Sequence, residues 1–173
     1  PDLNNLLGSL NPDEIMDYVN TIEADDNFAI LLDELTRIHG RREFTEWIQI
    51  FASFNTKKNR KIVVNHMFNE RKTHLDLLPY YAWVVKVFHS QYSDMSLVLS
   101  NLLVEEFDTL FIEKHQTDLG SKIRNITFIA ELTKFLIIPT HSTLSILNRC
   151  LSDFTHHNID VACTLLESCG RFL

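Results

Sequence analysis

Apolar and polar positions recur with the period of an α-helix along almost the whole chain. The pattern is strongest over Lys122–Phe135. There Arg124, Thr127, Glu131 and Lys134 fall in one narrow polar wedge, and Ile123, Ile126, Phe128, Ile129, Leu132 and Leu136 cover most of the remaining circumference. A helix that apolar is enclosed by neighbours rather than laid on a surface, so Phe128 and Leu132 are expected inside and Arg124 and Glu131 in solvent. Two one-sided helices follow. Leu144, Leu147, Leu151 and Phe154 mark the apolar stripe of the first. In the second, Ile159, Ala162, Leu165, Leu166, Cys169 and Leu173 oppose Asp160, Thr164, Glu167 and Arg171.

Upstream the same period continues. Asn11 and Pro12 open a helix with a stripe of Ile15, Val19 and Ile22. Phe28–His39 carries Leu31, Leu32, Leu35 and Ile38, with Gly40 as its C-terminal cap. Phe44, Trp47, Ile48, Phe51 and Phe54 define the next helix, and Thr56 caps one running to about Phe68. Leu75–Ser90 is helical, with Pro79 in its first turn or at a kink, and Ser93 caps Asp94–His115. Thr117–Ser121 reads as a loop, while Pro139–Thr140 and His156–Asn158 separate the last helices. Helix pairs thus recur every ~35–45 residues, the period of stacked helical hairpins. The boundaries alone fit an irregular helical bundle nearly as well.

Composition narrows the class. A length of 173 residues with 45% hydrophobic and 23% charged residues describes one soluble globular domain, and four Gly and four Pro are too few for a many-turned β-sandwich. No apolar run approaches the ~20 residues of a membrane span, and no secretion signal opens the chain. Cys150, Cys163 and Cys169 are odd in number and lack metal-site spacing, which points to buried free thiols in the reducing cytosol or nucleus, and a cytoplasmic localisation is expected. The chain opens on Pro1 and its last residues still follow a helix pattern. It therefore reads as an excerpt of a larger multidomain protein, incomplete at its C-terminal end, with Leu166, Cys169 and Leu173 expected as a partly exposed strip for interdomain packing.

No catalytic constellation emerges. Asp153, His156, His157, Asp160 and Cys163 are metal-ligand types, but on a helix Asp160 and Cys163 diverge, so neither metal nor cofactor is expected. Ser142 beside His141 sits in a helix start, and no two glycines form a phosphate-cradling loop. No enzyme is expected. Charge is more informative. Residues 1–35 hold nine acidic and no basic side chains, whereas residues 36–72 hold nine basic and three acidic. Within the segment Arg41–Lys72, the residues Lys57, Lys58, Arg60, Lys61, Arg71 and Lys72 are candidate contacts for a protein partner or for weak, salt-sensitive RNA binding. The acidic segment is positioned to neutralise them within the molecule.

The stretches "FIAELTKF" and "LSDFTHHNIDVACTLLESCGRFL" closely resemble the helical family named after the middle domain of translation initiation factor 4-gamma. Within that family they resemble the second of three tandem copies in a scaffold of nonsense-mediated mRNA decay. "FNTKKNRKIVV" and "THLDLLPYYAWVV" look like the same domain, so the resemblance covers roughly Asn55 to Leu173. One departure is Ala130, where relatives often carry Gly. The resemblance implies an all-α, right-handed superhelix of stacked antiparallel helix pairs of the HEAT-like type. It also implies a non-catalytic scaffold whose full-length protein meets an RNA helicase and an exon-junction-recognising factor. Adjacent tandem domains are further expected partners, and no membrane is.

Overall fold

The computed structural model describes residues 26–70, 73–112 and 119–173. The helix expected from Asn11, with Ile15, Val19 and Ile22, lies outside the described residues, as do Arg71 and Lys72. Within them the chain forms α1 (26–34), α2 (Arg41–Phe51), α3 (Lys57–Glu70), α4 (Leu78–His89), α5 (Ser93–Ile112), α6 (Leu119–Lys134), α7 (Thr140–Ser152) and α8 (His156–Cys169). Short 3-10 turns at Ala52–Phe54, Leu75–Leu77 and Gly170–Phe172 follow α2, precede α4 and follow α8. No strand occurs among the described residues.

The helices lie in two layers. α2, α4, α6 and α8 pack in succession, each on the next. α3, α5 and α7 form the second layer, where α5 touches α3, α4 and α6, and α7 rests on α6 and α8. α1 closes onto α2. The Trp47 indole N–H donates to the Leu31 carbonyl at 2.8 Å, and Phe28 packs 6.3 Å from both Phe51 and Phe54. Aromatic rings hold the first layer together: Phe44 stacks on Tyr80 at 4.7 Å, Phe51 meets Phe88 edge-on at 5.4 Å, and Tyr81 reaches Phe128 at 6.4 Å. Buried apolar residues form one cluster running from Phe28 to Cys169.

Local chemistry sets the boundaries. Thr56 accepts the Asn59 amide (3.1 Å) and so caps α3. Pro79 lies in the first turn of α4, where its missing N–H costs no helical bond. Gly40 is not the cap of α1, which ends at residue 34 and tightens into i to i−3 bonds at Leu35, Thr36 and Arg37. It instead enters α2 at φ 129°, ψ 153°, a conformation open to glycine and strained for any side chain. The expected loop Thr117–Ser121 is helical from Leu119 onward.

α6 departs from expectation at both its polar face and its end. Phe128 and Leu132 are fully enclosed, but Glu131 is also buried, 8% exposed, with its carboxylate held by Lys134 at 2.6 Å. Asn125 and Thr133 are buried as well. The Asn125 amide donates to the Leu103 carbonyl (2.9 Å) and to Glu106 Oε2 (2.7 Å), and the Thr133 hydroxyl meets that of Thr143 at 2.8 Å. Asn125 and Thr133 thus bond to neighbouring helices, whereas Arg124, Thr127, Glu131 and Lys134 of the polar wedge are partnered within α6 itself. Leu136 lies outside the helix, 68% exposed, at φ 57°. Its amide bonds the Thr133 carbonyl and that of Ile137 the Leu132 carbonyl, a Schellman ending with leucine in the place glycine prefers.

α7 is rotated from its expected phase. Thr143, Ile146 and Cys150 turn inward, while Leu144, Leu151 and Phe154 are exposed. The helix has two apolar faces, and the Thr143–Thr133 bond together with the Arg149–Asp108 ion pair selects the inner one.

Candidate functional site

The basic segment Lys57–Lys61 begins α3, the end of a helix that disfavours cations. The structure divides its side chains. Lys57, Lys58 and Lys61 are exposed, whereas Arg60 is drawn inward. Arg60 Nε lies 3.0 and 2.9 Å from the two Asp94 oxygens, Nη2 lies 2.8 Å from Oδ2, and Nη1 donates to Asn55 Oδ1 at 2.9 Å. Its guanidinium also covers the Tyr92 ring at 4.4 Å. The Arg60 hydrogen bonds hold the Asp94 carboxyl below the usual carboxylate range. Arg60 is thus a clamp between α3 and the start of α5, and not a free contact for RNA. Asn59 completes the junction, with its amide donating to the Phe54 carbonyl at 2.8 Å.

Arg41 and Arg42 are engaged elsewhere. Arg41 lies 5.7 Å over Trp83 and, with Pro79, Tyr80 and Phe135, lines an open aromatic cleft of about 360 Å³. Arg42 pairs with Glu46 one helical turn on. A second arginine clamp was not legible in the sequence. Arg149 of α7 pairs with Asp108 of α5 and lies over Phe107 (5.2 Å) and Phe111 (4.8 Å). Both clamps end on α5, one near each end, and join helices of the second layer.

The C-terminal strip also divides. Leu166 is 48% exposed and Leu173 half-buried, but Cys169 is fully enclosed, so it does not belong to an exposed strip. Phe172 beyond α8 is exposed, as are Leu144 and Leu151 on α7 and Phe154 just after it. Of the cysteines, Cys150 and Cys169 are buried and burial raises both thiols, whereas Cys163, expected inside, is exposed on α8. His156 and His157 are the first two residues of α8 behind the N-cap Thr155, rather than part of a loop. Among the described residues no His, Cys, Asp and Glu side chains gather into a metal-holding group, and no helix is long and apolar enough to cross a membrane.

Stacked helical hairpins tied by arginine clamps define a helical-repeat domain. The profile of the MIF4G domain matches residues 14–173, and the chain belongs to the MIF4G family, an all-helical, HEAT-like fold. It is 44% identical over 147 residues to Regulator of nonsense transcripts UPF2 of Arabidopsis thaliana, covering 85% of this chain and 12% of that protein. It is 44% identical over 121 residues to Regulator of nonsense transcripts 2 of Homo sapiens, covering 70% of this chain and 10% of that protein. Nonsense-mediated mRNA decay protein 2 of Schizosaccharomyces pombe is 28% identical over 173 residues, 99% of this chain and 16% of that protein. The chain therefore spans between 10% and 16% of the length of these relatives.

Proposed function

We propose that the chain is a non-catalytic scaffold domain of nonsense-mediated mRNA decay, acting in the cytoplasm as one of several tandem helical domains of a larger protein. The identity of 44% to a regulator of nonsense transcripts across 85% of the chain carries this reading. In that protein the domain holds its neighbours at a set distance and angle, while the full-length chain meets an RNA helicase and an exon-junction-recognising factor. The exposed edge of Leu144, Leu151, Phe154, Leu166 and Phe172 is where an adjacent helical element packs. A decay reporter with a premature stop codon tests the function. Deleting the domain from the full-length protein should stabilise the reporter transcript, and swapping in an unrelated helical repeat of equal length should restore only part of the decay. Unchanged decay after deletion would end the proposal.

A second reading, a weak RNA-binding module, draws on the three exposed lysines Lys57, Lys58 and Lys61. The capture of Arg60 by Asp94 weighs against it. Filter binding of single-stranded RNA at two salt concentrations separates the two: salt-sensitive retention lost on changing all three lysines to Gln supports the RNA module, and no retention supports the scaffold.

A further inference from the structure

Tyr80 and Trp83 lie about one helical turn apart on α4, both half-buried. With Arg41, Pro79 and Phe135 they line the open cleft of about 360 Å³ between the starts of α2 and α4 and the end of α6. Ligand clefts are commonly about 300–1,000 Å³. The walls of this one are held in place. Tyr80 stacks on the buried ring of Phe44 at 4.7 Å and 3° from parallel, and the Arg41 guanidinium lies 5.7 Å over the Trp83 ring.

The polar groups of these lining residues are unused. The Tyr80 hydroxyl and the Trp83 indole N–H make no hydrogen bond among the described residues, and neither is sealed from solvent. The other tryptophan behaves differently, because the Trp47 indole N–H is committed to the Leu31 carbonyl at 2.8 Å. Arg41 has no carboxylate partner among the described residues, although Arg42 beside it pairs with Glu46. Among the described residues lining the cleft, Arg41 alone is charged.

We propose that this cleft takes an extended, proline-rich segment of a protein partner, with an acidic residue next to its prolines. A chain in the polyproline II conformation leaves its carbonyls unbonded. An indole N–H and a phenol hydroxyl in an aromatic wall can donate to those carbonyls while proline rings lie against the aromatic side chains. Such a segment is ordered before it binds, so an open cleft suffices to hold it. The unpaired Arg41 supplies charge complementarity for the carboxylate. A single RNA strand fits less well. It needs several cations along its phosphates and free ring faces for its bases. Here one cation lines the cleft, and Phe44 and Arg41 already cover a face of Tyr80 and of Trp83. The assignment goes beyond the scaffold reading and does not rest on it, since peptide binding is measured without transcript decay.

Side-chain NMR of the 173-residue chain tests it, with the blocked pentapeptides PPEPP, PPQPP and AAEAA as probes at equal ionic strength. PPEPP should shift the Trp83 indole N–H signal saturably and leave that of Trp47 in place. Binding should be roughly tenfold weaker for AAEAA and about two- to fivefold weaker for PPQPP, the latter the range of one exposed ion pair. In Arg41→Gln the difference between PPEPP and PPQPP should vanish. Absence of a saturable shift in the unaltered chain would overturn the proposal, and so would equal affinity for AAEAA, neither result depending on a variant. A preference for PPEPP that persists in a folded Arg41→Gln chain would overturn it too. So would a single-stranded oligouridylate that moves the Trp83 signal at lower concentration than PPEPP does.

Discussion

Leu132 and Glu131 are neighbours on α6, both buried, and held there by different forces. Leu132 fills a packed core, so Leu132→Ala should cost about 2–5 kcal/mol in urea unfolding. Glu131 stays inside because Lys134 partners it, and removing a charged hydrogen-bond partner costs about 1.5–3 kcal/mol. Glu131→Ala should therefore be clearly destabilising, unlike an exposed glutamate, and a change within experimental error would show that the pair is solvated. The periodicity marked Leu132 as core and Glu131 as surface. Burial of Leu132 needs only its own apolarity, whereas burial of Glu131 depends on a lysine three residues on. The thiols give a second check at this scale. Cys163 should react with a thiol reagent in the native state, and Cys150 and Cys169 only after unfolding, because burial both shields them and raises their pKa.

Helix ends carry the next scale. α6 stops in a Schellman ending that places Leu136 at φ 57° with its side chain in solvent. A left-handed conformation costs a non-glycine residue about 1–2 kcal/mol, partly offset in a Gly variant by the greater freedom of its unfolded chain. Leu136→Gly should raise stability by about 0.5–1 kcal/mol, and a loss would mean that the exposed leucine has a packing partner. At the start of α5 the Arg60–Asp94 clamp makes a pH-dependent prediction. The folded-state pKa of Asp94 is depressed, so its contribution is present above the unfolded value of about 3.9 and is lost as pH falls through the folded value. The stability gap between the unaltered chain and Asp94→Asn should be level above about pH 5 and should close below pH 4. A gap unchanged at pH 3 would mean that the clamp does not depend on the carboxylate charge.

At the scale of the molecule, the two layers are joined through α5, which packs on α4 and α6, and through α7, which packs on α6 and α8. Such stacks gain stability from each neighbouring interface, and terminal repeats need a cover for their apolar outer faces. The edge of Leu144, Leu151, Phe154, Leu166 and Phe172 is uncovered. Extending the chain by the next one or two helices of the natural protein should raise its melting temperature by several degrees. If the longer chain melts no higher, this edge is not an internal packing surface.

The chain determined its helices by itself. Thr56 and Pro79 mark helix starts through groups that act on the next few residues, and the apolar period of α2 picks its buried face, Phe44, Trp47 and Phe51. Tertiary structure decided what periodicity leaves degenerate. α7 has two apolar faces, and a hydroxyl pair to α6 and an ion pair to α5 chose between them. Asn125 and Thr133 of α6 are polar residues that neighbouring helices bury by supplying their partners. Arg60 stands in a run of lysines and behaves differently from them, because Asp94 lies 34 positions along the chain and only the packing of α3 on α5 brings it near. Phe135 reads as the end of an apolar helix, and its place in a cleft with Tyr80 and Trp83 exists only once α4 and α6 are packed together. Interactions within a helical turn are written in neighbouring residues, whereas those between helices depend on distances the linear order does not contain.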